Sequence, residues 1–281
     1  CTDTLWNRID RLGVAVSGGG DSMALLYILT ACAAEHGAVL EVATVDHGLR
    51  PEGGEEAAFV AQVCQEIGLP HETLKWTGWD GKGNLQAQAR EARYRLLGRW
   101  AKRRGLDAVA LGHTMDDQAE TFLMRLARRA GVDGLAAMAA VFSRDGGRFW
   151  RPALGLERGD LRVFLTRHGF DWRDDPSNDD ERFDRVKARK ALAALGGLGI
   201  DKDTLSVVAG NLAQASRALK LATRDAARRI GRVEAGDVVF TREGLILAGS
   251  EIRRRLISAA LVWVSGADYP PRREALDLAE A

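Results

Sequence analysis

The sequence predicts an α/β fold, a parallel sheet with helices on both faces, followed by a smaller, mainly helical C-terminal domain. Three observations carry this. Short apolar runs alternate with amphipathic helical stretches through the first half. Polar clusters come after several of those runs, and the alternation stops after roughly residue 140. Strands alternating with helices imply right-handed βαβ units, whose ligand crevice lies at the carboxyl ends of the strands.

Leu12 to Val16 reads as a buried strand, then a glycine loop and a helix through Met23 to Leu29. A second strand, Leu40 to Val45, ends at Asp46-His47-Gly48. The next helix repeats Phe59, Val60, Val63, Cys64 and Ile67 at helical spacing. His71 to Lys75 is a further strand, Asn84 to Arg104 a long helix, and Ala108 to Leu111 a strand running into a helix from about Asp116 to Arg129. Trp150 to Gly155 reads as an extended segment before a helix from Glu157 to His168. Asp174 to Asp180 is a polar loop with strong turn chemistry, and a basic helix comes after it. Gly196-Gly197-Leu198-Gly199 reads as a linker, dividing a domain at 1–195 from a small domain at 200–281. Beyond it lie a helix to about Arg229, a hairpin joining Asp237–Phe240 to Leu245–Ala248, and a closing helix from about Glu251.

Composition sets outer limits. The chain has 281 residues, 46% apolar and 28% charged, as ordinary globular proteins have. No run approaches the roughly 18 apolar residues of a membrane span, so no membrane partner is expected. The N-terminus lacks the basic start and apolar run of a signal peptide, which points to the cytoplasm. It opens on Cys1 rather than Met, as a chain that is trimmed or taken from an internal start would. Cys1, Cys32 and Cys64 are widely spaced with no Cys-x-x-Cys pair, which argues against a disulfide framework or structural zinc. Cys32 and Cys64 sit in apolar helical stretches and suit core packing.

The loop Ser17-Gly18-Gly19-Gly20-Asp21-Ser22 is the first candidate site. Glycines let the backbone approach a phosphate, and the amides and dipole at a helix start favour an anion. Ser17 and Ser22 add hydroxyl donors. Asp21 would repel a phosphate, so its place in the loop suits a carboxylate that carries Mg²⁺ or hydrogen-bonds loop amides. The plainer alternative is a glycine turn capped by Asp21 or Ser22. A Walker loop is excluded, since Gly-x-x-x-x-Gly-Lys-[Ser/Thr] does not occur; Gly81-Lys82 is the nearest approach. The string resembles the loop of ATP pyrophosphatases, which cleave ATP between the α and β phosphates and transfer AMP.

The second candidate begins at His113. Asp117 and Glu120 are three apart on the next helix and share one side of it. Thr114 and Asp117 also have the spacing of a capping box, a structural role compatible with facing a ligand.

The run from Leu111 to Met138, with Asp116-Asp117-Gln118-Ala119-Glu120-Thr121, resembles the tRNA(Ile)-lysidine synthetase family. Asp46-His47-Gly48-Leu49-Arg50, Ala89-Arg90-Glu91-Ala92-Arg93-Tyr94, Arg151-Pro152, Asp175-Pro176-Ser177-Asn178 and Phe183 agree with it. The resemblance implies a PP-loop, adenine nucleotide alpha hydrolase-like fold and a ligase. ATP adenylates the 2-oxygen of the wobble cytidine in CAU-anticodon tRNA(Ile), and L-lysine then displaces AMP. It implies ATP and Mg²⁺ at Ser17 to Ser22, with Asp21 on the metal. Arg90 or Arg93 would contact phosphates or tRNA, His113 the ATP or the reacting base, and Asp117 and Glu120 the lysine ammonium. Family members often carry a second histidine where this chain has Thr114, so no role passes to that position. The rivals are tRNA sulfuration, which needs a cysteine near the site, and a nucleotide-sensing or RNA-binding module without catalysis. A homodimer is left open.

The net charge of +1 gives little long-range attraction for a polyanion, so tRNA would need a local patch. Four of the six residues from Arg185 to Lys190 are basic, and Arg185 and Arg189 are the expected tRNA contacts. Arg253-Arg254-Arg255 is the alternative patch.

Overall fold

A computed structural model describes residues 6, 8–48, 52–77, 79, 83–173 and 184–267. Leu49-Arg50, Gly81-Lys82, the polar loop from Asp174 and Phe183 lie outside the described residues.

Six strands form one sheet in the order β3-β2-β1-β4-β6-β5. They are β1 (Arg11–Ala15), β2 (Val39–Asp46), β3 (His71–Lys75), β4 (Ala108–Leu111), β5 (Val141–Arg144) and β6 (Gly147–Trp150). All pairings are parallel except β5 with β6. The period of two along each strand sends its side chains to opposite faces. Leu12, Val14, Ala108 and Ala110 join a core with α1 (Gly20–His36), α2 (Glu52–Glu66) and α6 (Arg158–His168). Ala15, Val109, Leu111 and Phe149 join a second core under α3 (Leu85–Arg104). Both faces are therefore covered, as the near-continuous apolar strands require.

Local chemistry sets the helix ends. Asn84 caps α3 by accepting from the Ala87 amide at 3.1 Å, and Gly105 ends it with φ 63°. The phosphate-loop candidate leads into α1, and Gly18 takes φ 87°, a conformation that glycine adopts without strain.

Several elements depart from the sequence expectation. Val141–Trp150 is a hairpin, so Trp150 ends a strand and the extended segment to Gly155 is replaced by turns. Its turn, Asp145-Gly146, has φ of 48° and 75°, the pair of positive values that a two-residue hairpin needs. The glycine run at 196–199 is not a free linker. Gly196–Leu198 form one 3₁₀ turn after α7 (Asp184–Leu195), ended by Gly199 at φ 71°. Asp201 then accepts from the Thr204 amide at 2.8 Å to start α8 (Lys202–Ile230).

The chain divides into two compact units, one of residues 1–129 with 137–208 and the other of 130–136 with 209–281. The division falls inside α8. The second unit holds α5 (Val132–Leu135), β7 (Gly231–Glu234), β8 (Asp237–Phe240), α9 (Arg242–Leu247) and α10 (Ser250–Ser265). Asp237–Phe240 thus pairs backwards with Gly231–Glu234, and the expected second strand at Leu245–Ala248 falls largely on helix α9. The β7–β8 turn is Ala235-Gly236, with φ of 51° and 93°. Alanine is strained there, where asparagine is tolerated. Ala235→Asn is expected to stabilise this hairpin by roughly 0.5–1 kcal/mol, read as a rise in the unfolding temperature. An unchanged or lower Tm would contradict the strain.

Candidate active site

The strand order turns back between β1 and β4, so their carboxyl ends open a crevice, the place where open α/β sheets bind ligands. The phosphate loop leaves β1 there and Gly112-His113 leaves β4. The two segments nearly touch. A Cβ on Gly112 would lie 3.1 Å from Ser22 Cα and 3.3 Å from Asp21 C, so glycine permits the approach. Ser22 shapes the loop, accepting from the Ser17 amide at 3.1 Å and donating to Gly19 O at 2.9 Å. The first intrahelical bond runs from Met23 N–H to Gly19 O. The amides of Gly20, Asp21 and Ser22 precede it and are the donors that a helix start offers an anion.

A cavity of about 760 Å³ lies over this loop, and Arg93, His113 and Asp117 line it with Arg158, Arg185 and Arg189. A second cavity of about 880 Å³ is lined by Arg90, Glu120 and Met124 and shares the same three arginines. The structure therefore brings the loop, Arg93, His113 and Asp117 together, and places Arg90 and Glu120 on the other side of an arginine wall. Arg93 and Arg90, interchangeable in the sequence, separate here. Arg90 lies over the Tyr94 ring, 5.3 Å from its centroid. Arg93 is half-buried, and its ionisation is pulled down by burial and by neighbouring Arg90 and Arg185, a penalty that an anion would relieve.

The acids are held by arginines. Asp117 and Glu120 are buried, and the Thr114 amide and hydroxyl donate to Asp117 Oδ2 at 2.9 and 3.1 Å, completing the capping box at the start of α4 (Met115–Ala127). Asp117 Oδ1 is left facing Arg158 at 3.8 Å and Arg185 at 3.7 Å. Glu120 Oε1 accepts from Arg189 at 3.0 Å and Arg158 at 3.3 Å. Glu120 Oε2 is buried with no hydrogen-bond partner among the described residues.

Asp21 pairs with Arg158 through Oδ2 at 3.0 Å, and its Oδ1 is likewise buried without a partner among the described residues. Burial raises the Asp21 pKa despite the pull of Arg158, so the carboxylate has room for a second cation. No group of three His, Cys, Asp or Glu able to hold a metal occurs among the described residues. A Mg²⁺ ion fits this donor set only in its usual manner, on one carboxylate with phosphates and water.

His113 Nδ1 faces the Arg151 Nε–H at 3.3 Å. An arginine can only donate, so Nδ1 accepts and the ring proton sits on Nε2. Burial, reinforced by Arg93 and opposed by Asp117, pushes the His113 pKa down to about 3. The ring is a neutral hydrogen-bond donor at neutral pH.

Sequence reasoning missed Arg158, which touches Asp21, Asp117 and Glu120. One local signal existed. A cation in the first turn of a helix opposes the helix dipole, so Arg158 at the start of α6 called for another reason. Also missed was Asp116, which accepts from the Arg158 amide at 2.8 Å and from Lys202 at 3.0 Å.

The PP-loop domain family matches residues 4–195. A tRNA(Ile)-lysidine synthase from Ruegeria pomeroyi is 54% identical over 266 residues, covering 95% of this chain and 64% of that protein. One from Rhodopseudomonas palustris is 41% identical, covering 91% of this chain and 75% of its own. Another, from Zymomonas mobilis, is 41% identical with 91% and 76% covered. This chain thus spans slightly under two thirds of the Ruegeria protein and about three quarters of the other two. Among solved structures, the U34-tRNA thiolase NcsA from Methanococcus maripaludis superposes with a TM-score of 0.63 at 15% identity, covering 73% of this chain and 72% of its own. That likeness concerns the fold.

The depressed His113 pKa makes a pH prediction. Between about 3 and the ordinary 6.5, the unfolded chain binds a proton here that the folded chain does not. The contribution to stability is therefore full above 6.5 and is lost as pH falls towards 3. His113→Gln is expected to flatten the pH dependence of unfolding free energy across that window. An unchanged slope in urea titrations would show His113 to be protonated in the fold.

Proposed function

The chain belongs to the PP-loop family and within it to the tRNA(Ile)-lysidine synthases, and on that basis we propose that it joins L-lysine to C2 of the wobble cytidine in CAU-anticodon tRNA(Ile). ATP is split into AMP and pyrophosphate on the way, through a tRNA adenylated at the cytidine 2-oxygen. The observation that carries this reading is the pair of adjoining cavities, one over a phosphate loop and one holding a buried acid with a free oxygen, which share a wall of arginines.

ATP lies over Ser17 to Ser22, its phosphates meeting the amides at the start of α1 and the Arg93 guanidinium. Asp21 Oδ1, with phosphate oxygens and water, would hold Mg²⁺, which when bound neutralises charge on the departing pyrophosphate. His113 donates from Nε2 to an oxygen of the nucleotide or of the reacting base. Asp117 Oδ1 and Glu120 seat the lysine ammonium. Glu120 Oε2 takes its proton, since Asp117 Oδ2 is occupied by Thr114. The neutral amine then attacks C2 and AMP leaves. Arg90 faces the tRNA from the second cavity. Arg185 and Arg189 meet the phosphates that flank the reacting nucleotide, because both line the crevice. Residues 1–195 carry the catalysis and 200–281 add tRNA contacts.

Thiol chemistry is the poorer reading. Burial pushes the Cys64 thiol up to about 11 and raises Cys32 as well, so both resist forming thiolates. Cys1 lies outside the described residues.

Incubation of a CAU-anticodon tRNA transcript with ATP and lysine, followed by nucleoside analysis, is expected to yield lysidine; unmodified cytidine would overturn the proposal. Asp21→Ala is expected to abolish pyrophosphate release with the circular dichroism spectrum intact. Near-normal release would remove Asp21 from the phosphate site. Glu120→Gln is expected to slow the second step more than the first, so that adenylated tRNA accumulates in quenched reactions. Unchanged lysine saturation in that variant would place the acid elsewhere in the mechanism.

A further inference from the structure

Arg158 reaches acids of both cavities. Its Nε donates to Asp21 in the phosphate loop at 3.0 Å, while its terminal nitrogens lie 3.3 Å from Glu120 and 3.8 Å from Asp117. Although burial works against its charge, Asp21 first and then Asp117 and Glu120 hold its pKa above the ordinary arginine value.

The partners are unequally shared. Glu120 also has Arg189, and Asp117 also has Arg185 and the Thr114 donors. Asp21 has Arg158 as its ion-pair partner among the described residues. Glu120 and Asp117 can therefore release Arg158 and stay compensated, whereas Asp21 cannot without another cation. The arginine's main chain does not share this freedom. Its amide is fixed to Asp116, which Lys202 holds in turn. The guanidinium can change partners while its root stays in place.

We propose that Arg158 is a positioning residue that couples the two substrates, its guanidinium being released from Glu120 and Asp117 when an ammonium arrives and turned towards the phosphates beside Asp21. The inference rests on the reading of the cavities as an ATP site and a lysine site. Asp117 and Glu120 are already ion-paired with arginines before any ligand binds, so an ammonium seated on them displaces the Arg158 charge. The phosphates are the nearest sink for that charge. Reaching the Glu120 side requires no new cavity, because Arg158 lines both. The coupling must be reciprocal. If lysine tightens the nucleotide, the nucleotide tightens lysine by the same factor.

The test is calorimetric titration of the full chain with Mg²⁺ and α,β-methylene ATP, which cannot be split between its first two phosphates. Affinity is measured without lysine and with saturating lysine. The wild-type protein is expected to bind the analogue at least about fivefold more tightly with lysine present. In Arg158→Gln the ratio is expected to fall to about one, with binding itself retained through the loop amides and Arg93. Arg158→Lys keeps the charge but cannot span three acids, so it too should lose most of the ratio, and it serves if the glutamine variant does not fold. A wild-type ratio of one, or a wild-type ratio that survives in the folded variant, overturns the coupling. Failure of the wild-type protein to bind the analogue at all overturns the assignment of the ATP site, which is a different result.

Discussion

The pairing of β1 with β2 on one side and β4 on the other decides where chemistry can occur in this chain. The backbone that leaves β1 must turn away within the phosphate loop, and the backbone leaving β4 must pass beside it. Gly112 lets them pass almost in contact, with room for no side chain between it and Ser22. That closeness sets the first turn of α4 beside the amides at the start of α1. Asp117 reaches the phosphate-loop side of the crevice and Glu120, one turn on, reaches the other. A wider gap would leave two unrelated pockets.

Bringing acids into such a crevice costs stability. An isolated buried carboxylate carries a penalty of several kcal/mol, and removing its partner typically costs about 3–5 kcal/mol. Glu120, with 2% of its side chain exposed, is tolerated because Arg158 and Arg189 both face it. Neither satisfies its second oxygen. The same holds for Asp21, one oxygen on Arg158 and one without a partner among the described residues. A fold optimised for stability alone would fill both positions with apolar side chains, so the unmatched oxygens are where ligand binding has most to gain.

How much the sequence reveals depends on how local each feature is. The phosphate loop is legible because strand, glycines and helix start are contiguous from Leu12 to Leu29, and Asp117 with Glu120 because three residues make one helical turn. Arg158 is not, since its contact with Asp21 spans 137 positions. The Asp145-Gly146 hairpin was readable in principle, as aspartate–glycine is a common two-residue turn. Instead, Trp150 with Arg151 and Pro152 suggests an extended start where a strand in fact ends. Ala235-Gly236 had no such signal, because alanine rarely takes positive φ. The glycines at 196–199 read as a linker between domains, yet they make a 3₁₀ turn between two helices, and the division of the chain falls within a continuous helix that no compositional change marks.

The start of α4 also shows why a structural explanation and a functional one need not compete. Read as a capping box, Asp117 is accounted for by its Oδ2, which satisfies the amide and hydroxyl of Thr114. That bond fixes the carboxylate plane and leaves Oδ1 directed at Arg158 and Arg185. Asp116 behaves similarly, one oxygen on the Arg158 amide and the other on Lys202. The bonds that begin the helix therefore also hold the root of the arginine and the orientation of the acid facing it. An aspartate that merely completed the capping box from N3 could be replaced by glutamine or asparagine, whose side-chain oxygen also accepts from the N-cap amide. Neither replacement would present a fixed negative charge to the crevice, and it is that charge, not the cap, that the arginine wall is built to meet.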